Sequence, residues 1–566
     1  MKLVVVGGVA GGMSAATRAR RLNEHAEIVV FEAGEYVSFA NCGLPYHLAG
    51  EIEERDALLL HTPESLARRA ALDVRINSKV TSIDRENKTV TVAGPEGEYT
   101  ESYDKLILSP GSVAVQPPIP GIDHPAVSTL RTIPEMDYVI KLAEDGAEAA
   151  KQAGRSPRAV VIGAGFIGLE AVEALVHRGF EVDLVEFADH VLPVIDGDLA
   201  VLLHRELRAK GVGLHLGVAA QSFRDGDERA VTVALSSGEE LEADLVITSI
   251  GVRPNSKLAE EAGLELGERG AIVVDENQFT SDPNILAAGD AVEVKFHDGR
   301  RGSVMLAGPA NRQGRRAADA AMGYETIKQQ PVLGTAGVRV FDLVAAATGS
   351  TSAALEKAGI EHFVVHLHSG HHAGYYPGAT PIHLNAAFSK DGRLLGAQAV
   401  GENGVARRID ILATAIRAGM TAEDLAELEL TYSPPLGTAK DIINMLGFTV
   451  QNILFEDCPI WDWEEFEEIK DKYLILDVRP TKATEGGRKL DEAVNIPFLE
   501  LRDRIDEVRE LANGRPIALH CKTGLTAYLS QRTLQQEGFE VKNFTGGYDT
   551  IDLKIEAFNT NHSKSE

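Results

Sequence analysis

The sequence predicts an α/β protein of several parallel-sheet domains, and three observations carry that prediction. Two strand, glycine-turn, helix, strand runs begin at Leu3 and Arg158, and a further strand, loop, helix run closes the chain around Cys521. A chain of 566 residues has room for three or four domains. Its 44% hydrophobic and 25% charged content is that of a globular protein. A net charge of −28 argues against nucleic acid as a partner. Three cysteines cannot build a disulfide framework, which suits a reducing compartment. No apolar run approaches the roughly 18 residues of a membrane span. The apolar start at residues 1–7 is too short for a secretory signal and reads as a first strand. The expected location is therefore the cytoplasm, with no membrane partner.

In chain order, Leu3-Val4-Val5-Val6 is a buried parallel strand, followed by the turn Gly7, Gly8, Val9, Ala10, Gly11, Gly12. Residues 13–22 are helical in composition, and Ile28-Val29-Val30-Phe31 leads to Glu32. This is the order of a dinucleotide-binding fold: glycines let backbone approach a pyrophosphate, the helix N-terminus stabilises its charge, and the acid meets a ribose. Val9 departs from the G-x-G-x-x-G spacing, with Gly8 beside it. Arg18, Arg20 and Arg21 on the helix, with Arg68 and Arg69 further on, make a basic cluster in an acidic chain. Such a cluster suits an anionic, phosphorylated ligand, although any one of these arginines also reads as a solvated helix face.

Next comes Ser38-Phe39-Ala40-Asn41-Cys42-Gly43-Leu44-Pro45-Tyr46. Two-thiol redox motifs place a second Cys within a few residues, but the next Cys here is Cys458. Cys42 therefore has no local disulfide partner. Either its substrate brings the second sulfur, or the residue cycles through an oxidised single-sulfur state.

The second glycine turn is intact: Gly163, Gly165 and Gly168 follow the strand at residues 158–162, and Glu186 ends the next strand. A carboxylate there favours the free ribose hydroxyl of NADH over a 2′-phosphate, though NADPH stays open. Two dinucleotide sites in one chain imply electron transfer between two cofactors, most economically NADH and FAD.

At the C-terminal end, strands at residues 473–479, 493–497 and 516–520 precede Cys521-Lys522-Thr523-Gly524-Leu525-Thr526 and a helix from about Ala527. A thiolate at a strand end, in a loop entering a helix, meets converging N–H groups that lower a thiol pKa. Cys458 lacks that setting; its acidic neighbours Glu456 and Asp457 raise a thiol pKa, so it reads as non-catalytic. The cluster His366, His368, His371, His372 has no Cys or carboxylate at a recognisable ligand spacing and is read as solvated or pocket-lining, with no metal.

Residues 1–449 resemble the pyridine nucleotide-disulfide oxidoreductases, and within them the single-cysteine branch. The resemblance is carried by both glycine turns, by Thr248-Ser249-Ile250-Gly251-Val252-Arg253-Pro254-Asn255, and by Asn284-Ile285-Leu286-Ala287-Ala288-Gly289-Asp290. It implies that Asp290 holds the ribityl chain of FAD. Closer still, residues 38–42 with Tyr375-Tyr376-Pro377-Gly378 and Tyr432-Ser433-Pro434-Pro435 resemble the coenzyme A-disulfide reductases. That likeness implies a mixed disulfide of Cys42 with coenzyme A. It further implies Tyr375 (or the adjacent Tyr376) and Tyr432 from a partner subunit at the leaving sulfur. Its coenzyme A contacts are Ser14, Arg18, Arg21, Ser38, Asn41, Arg69 and Lys440. The C-terminal module resembles a rhodanese domain, with Cys521 as the persulfide carrier and Lys522 where Arg is usual.

The expected architecture is two Rossmann-like domains for FAD and NAD, an α+β dimerisation domain and the rhodanese module. The expected boundaries are 1–112 and 246–325 for FAD, 113–245 for NAD, 326–448 for dimerisation, 449–460 as linker and 461–566 for the last module. The implied enzyme is an FAD-dependent NAD(P)H reductase of coenzyme A disulfide, coenzyme A persulfide or polysulfide, acting as a homodimer and coupled to sulfane-sulfur transfer at Cys521. Two alternatives are an NADH oxidase or peroxidase cycling Cys42 through sulfenic acid, and a non-catalytic sulfur carrier or redox sensor.

Overall fold

The computed structural model describes residues 1–455 and 458–562. Glu456 and Asp457, on which the reading of Cys458 leaned, lie outside them, as do the last residues of the 461–566 module. The chain forms two compact units: Met1–Phe187 with Gly211–Gly334, and Ala188–Lys210 with everything from Thr335 onward.

The first unit holds two five-stranded parallel sheets. In one, Lys2–Val6 is central, flanked by Glu27–Phe31 and Asp73–Arg75 on one side and by Lys105–Leu108 and Ile285–Ala287 on the other. Leu3, Val4 and Val5 are fully buried because helices or sheets cover both faces. The strand Ile285–Ala287 brings the chain back to this sheet after the second domain has been built. In the other sheet, Arg158–Ile162 is central, between Glu181–Glu186 and Leu245–Thr248. The expected boundary at 245/246 cuts through this last strand. Its four residues are fully or nearly fully buried and pair with Arg158–Ile162, so the second domain runs through Thr248. A three-stranded antiparallel sheet accompanies each parallel one: Lys79–Asp84, Thr89–Gly94, Gly97–Ser102, and Ala220–Asp225, Val231–Leu235, Glu240–Ala243.

Helix Ala10–Leu22 lies against helix Ala307–Ala321 at backbone distance. A Cβ on Gly314 would sit 2.1 Å from the Gly11 carbonyl oxygen. Small residues on both faces, Gly11, Ala15 and Ala19 against Ala310, Gly314 and Ala317, make that approach possible.

The second unit holds a five-stranded antiparallel sheet in the order Ala336–Val340, Leu343–Gly349, Leu394–Gly401, Pro381–Phe388, Phe363–Gly370. Its second sheet is parallel, in the order Val494–Asn495, Leu474–Asp477, Ile517–His520, Val541–Asn543. The α/β class expected from sequence is the one observed. The linker expected at 449–460 is not all linker: its first residues belong to helix Ile442–Phe455. Ile443, Leu446 and Val450 are fully buried there, and Gly447 admits the backbone of Ala426, whose N would stand 2.4 Å from an added Cβ. The closing helix Gly547–His562 was not anticipated; its apolar positions are spread among charges rather than set in a stripe.

Gly314→Ala tests the helix contact. It should destabilise the first unit by about 1–3 kcal/mol in denaturant unfolding; an unchanged midpoint would contradict the packing described.

Candidate active site

Each glycine turn shows what its residues are for. Gly7 has φ +102°, and a Cβ there would lie 2.0 Å from the Ser109 carbonyl oxygen. A Cβ on Gly12 would lie 1.9 Å from the Gly7 oxygen, so helix Ala10–Leu22 starts in contact with its own turn. Glu32 accepts from the N–H groups of Gly8 (2.7 Å) and Gly34 (2.9 Å). The second turn repeats this: Gly168 stands over the Gly163 oxygen and Glu186 accepts from Ala164 N–H at 2.6 Å. Gly165 differs. Its φ is −78°, and a Cβ there would meet nothing within 4 Å. No protein neighbour requires glycine at that point, and the open backbone leaves room for a ligand to lie against it. Both turn helices start without a side-chain cap and without an acid in the first turn, which leaves their N–H groups for phosphate. Asp290 follows strand Ile285–Ala287 and accepts from Ser112 Oγ at 3.0 Å. Burial raises its carboxyl above the usual range, against Ser112 and Arg131. These residues fit the two dinucleotides.

Cys42 sits in the short turn Asn41–Gly43, just before helix Leu44–Leu48 with Pro45 in its first turn. Ser38 opens this loop at φ +50°, a left-handed conformation for a residue with a side chain. Its backbone ties the loop down: Ser38 N–H donates to the Gly8 oxygen at 2.8 Å, and its carbonyl accepts from Leu60 N–H at 3.1 Å. Asn41 Oδ1 accepts from Cys42 N–H at 3.1 Å. The Cys42 residue is exposed. Even so, desolvation by the surrounding protein raises its thiol above the ordinary value, and the Glu170 and Asp290 carboxylates add to the rise. Glu170 lies on helix Phe166–His177, which follows the second glycine turn, and accepts from Tyr46 Oη at 3.0 Å. One sulfur thus feels a charge from each nucleotide half-site. Sequence reasoning missed Glu170, which no local pattern links to Cys42.

The basic helix divides. Arg18 Nε pairs with Asp319 at 2.6 Å, and Ser14 Oγ donates to Asn311 at 2.5 Å. Arg20 is buried and donates to the carbonyls of Glu24, Ala70 and Ala71, so it is not a solvated face but a brace. Arg21 and Arg69 are exposed.

In the second unit Tyr375 and Tyr432 meet at their hydroxyls, 3.1 Å apart, and both are exposed. Tyr376 instead packs edge-on against the His372 ring. Two adjacent arginines hold the tyrosine loops. Arg407 donates to the carbonyls of Thr431 (2.9 Å) and Leu436 (3.0 Å), on either side of Tyr432. Arg408 is buried against Asp441 at 2.7 Å and donates to the His371 oxygen at 2.8 Å, joining both loops to helix Val405–Ala418. Sequence reasoning missed both. Lys440 is exposed beside Asp441.

Cys521 is buried at the end of strand Ile517–His520, and Gly524 N–H donates to its Sγ at 3.1 Å. The following helix starts at Leu525, two residues sooner than read from sequence, because Gly524 at φ +98° takes the N-cap position. Cys458 is buried and accepts from Arg532 Nη1 at 3.4 Å. His366, His368, His371 and His372 each have a protein partner: Asn385, Thr550, Thr380 and the Ala373 carbonyl. His366 and His372 are buried rather than solvated.

Two dinucleotide folds converging on one thiol define an oxidoreductase that passes electrons from a nicotinamide through a flavin to sulfur. The family model of the pyridine nucleotide-disulphide oxidoreductases matches residues 1–314, its dimerisation-domain model residues 335–441, and the rhodanese-like domain model residues 462–553. The chain belongs to the pyridine nucleotide-disulphide oxidoreductase family, with FAD and NAD(H) as cofactors. The coenzyme A disulfide reductase of Staphylococcus haemolyticus (strain JCSC1435) is 34% identical over 459 residues, 80% of this chain and all of that one. The structure of reduced Bacillus anthracis CoADR-RHD is similar at 42% identity and TM-score 0.93, covering 98% of both chains. A NAD-dependent persulfide reductase from A. fulgidus is similar at 36% identity and TM-score 0.88, covering 97% of this chain and all of that one. Among the described residues no helix is long and apolar enough to cross a membrane.

Gly165→Ala separates folding from nucleotide binding. The unfolding midpoint should stay put, since the new methyl meets no protein atom, while NADH affinity should fall by about tenfold or more. Unchanged affinity would contradict the ligand-facing role.

Proposed function

We propose that this protein is an FAD-dependent, NADH-driven reductase of coenzyme A disulfide, coenzyme A persulfide and polysulfide, coupled to sulfane-sulfur transfer at Cys521. We place it in the cytoplasm as a homodimer. One observation carries the reading: the Cys42 thiol lies within electrostatic reach of both the second-turn helix, through Glu170, and the Asp290 strand end.

FAD, when bound, relays two electrons from NADH to sulfur. The Cys42 thiolate attacks the substrate R–S–S–R′, breaking the S–S bond and forming Cys42–S–S–R while R′S⁻ leaves. The two electrons then cleave the mixed disulfide, releasing RS⁻ and restoring the thiolate. The sum is NADH + H⁺ + RSSR′ → NAD⁺ + RSH + R′SH; with a persulfide, R′ is H and sulfide leaves. The paired hydroxyls of Tyr375 and Tyr432, exposed and held by Arg407 and Arg408, protonate the R′S⁻ that leaves when Cys42 of a partner subunit attacks. That Tyr375 rather than Tyr376 meets Tyr432 supports this assignment. Arg21, Arg69 and Lys440 are exposed cations available to the coenzyme A phosphates, and Ser14, Arg18, Ser38 and Asn41 are assigned further coenzyme A contacts. Glu186, fixed by Ala164 N–H, favours NADH. The oxidase alternative has less support, since it leaves the Cys521 module without a task. The two structures named above each match nearly the whole chain, that module included.

Under anaerobic conditions NADH oxidation should proceed with coenzyme A persulfide or disulfide, releasing thiol or sulfide. In a parallel aerated assay, oxygen consumption at a comparable rate would overturn this reading in favour of the oxidase. Tyr375→Phe should lower kcat about 10²-fold without slowing flavin reduction by NADH, whereas Tyr376→Phe should leave kcat unchanged; equal losses from both would refute the tyrosine assignment.

A further inference from the structure

The first two histidines of the run, His366 and His368, are unused by the reading above and lie on strand Phe363–Gly370 of the antiparallel sheet. His366 and His368 are two residues apart and so share one face of that strand. That face carries the segment from Phe544 to Thr550 of the C-terminal module. His366 N–H donates to Thr545 Oγ1 at 3.2 Å, and its ring is stacked nearly parallel to Phe544, centroids 6.3 Å apart. Gly546 comes so near that an added Cβ would lie 2.7 Å from His366 Cβ. His368 Nε2 stands 2.7 Å from Thr550 Oγ1. On the ring's other side, His368 Nδ1 faces His383 Nδ1 at 2.8 Å.

Two Nδ1 atoms at that separation share one proton: one donates and the other accepts. Burial pushes His368 well below its ordinary value, with His383, His366 and Lys522 adding to the fall; burial and Arg205 push His383 to about 4. Both rings are therefore neutral near pH 7. If His368 accepts at Nδ1, its Nε2–H donates to Thr550; if it donates at Nδ1, its Nε2 accepts from the Thr550 hydroxyl. In either tautomer the chain His383, His368, Thr550 is complete, and both nitrogens of the middle ring are used.

The same segment grips the Cys521 loop from its other side. Tyr548 N–H donates to the Cys521 carbonyl at 2.7 Å, and Asp549 N–H donates to the Lys522 carbonyl at 3.0 Å. A Cβ on Gly547 would lie 2.5 Å from the Cys521 oxygen. The loop's own amide, Gly524 N–H, points at the sulfur. The segment thus stands between the histidine strand and the nucleophile's loop, bonded to both.

We propose that His368 and Thr550, with His383 behind them, are positioning residues for sulfur transfer at Cys521. The antiparallel sheet fixes the Phe544–Thr550 segment, and that segment fixes how the Cys521 sulfur is presented to a sulfane-sulfur donor. The proposal rests on the reading of Cys521 as a sulfur carrier. In the loading step the Cys521 thiolate takes the outer sulfur of R–S–SH, forming Cys521–S–SH and releasing RS⁻. Losing the His368–Thr550 bond frees the segment, and the two N–H groups that hold the loop carbonyls shift with it. The strand that carries these histidines runs directly into the loop that bears Tyr375, so the same element serves both reaction centres.

The test uses full-length holoenzyme. Cys521 is loaded with inorganic polysulfide, the protein is desalted, and single-turnover transfer to cyanide is timed. Mass spectrometry follows the persulfide on the Cys521 peptide, and iodoacetamide alkylation of Cys521 is profiled against pH. His368→Leu and Thr550→Val should each slow transfer about tenfold and shift the alkylation profile. The double variant should be no slower than the slower single variant, because both changes remove one bond. His368→Gln and Thr550→Ser, which keep a polar partner, should restore most of the rate. Flavin reduction by NADH should be untouched throughout. Should His368→Leu lower the unfolding midpoint, the nearly isosteric Thr550→Val carries the test. Unchanged transfer and alkylation in both single variants, or losses that multiply in the double variant, would overturn the proposal. Cys521→Ser separates the two claims: transfer surviving it overturns the carrier reading itself, whereas transfer lost there but unaffected in Thr550→Val overturns only the positioning role.

Discussion

A solitary sulfur governs this molecule. Cys42 is the only cysteine of the first unit, so in the function proposed above its redox partner arrives with the substrate. The fold meets that constraint by aiming two nucleotide half-sites at one short turn. Ser38 accepts a left-handed backbone to make the turn, and its hydrogen bond to Gly8 ties the thiol loop to the first glycine turn. Strain of this kind, of order 1–3 kcal/mol, persists only where surrounding structure holds it. Here the first glycine turn and the Leu60 backbone do so.

The electrostatics of the site follow from the same arrangement. Desolvation, Glu170 and Asp290 all favour the protonated thiol. The tyrosines proposed as proton donors are arranged differently. They are exposed and held by backbone contacts of Arg407 and Arg408 and by a buried Arg408–Asp441 pair.

What the sequence revealed was local. Gly12 and Gly168 are forced by contacts within their own turns and Gly7 and Gly163 by a positive φ, so their spacing is visible in a few residues. Cys42 and Cys521 were legible because a thiol in a polar turn or at a strand end is unusual. What stayed hidden depends on partners far along the chain. Glu170 meets Cys42 only through tertiary folding, and Arg20, which looks like a solvated cation, closes the carbonyls of Ala70 and Ala71 from another segment. Helix Ile442–Phe455 runs past the expected domain end at 448, and its Val450 is fully buried beyond it. The histidine run looked like surface or pocket lining because its partners, Thr545 and Thr550, come from another module.

The most direct measurement is anaerobic turnover of Cys42→Ser with NADH and coenzyme A persulfide. Replacing one sulfur by oxygen should abolish NADH-dependent release of thiol and sulfide while FAD stays bound and Cys521 still accepts sulfane sulfur. Turnover that survives the exchange would contradict the account.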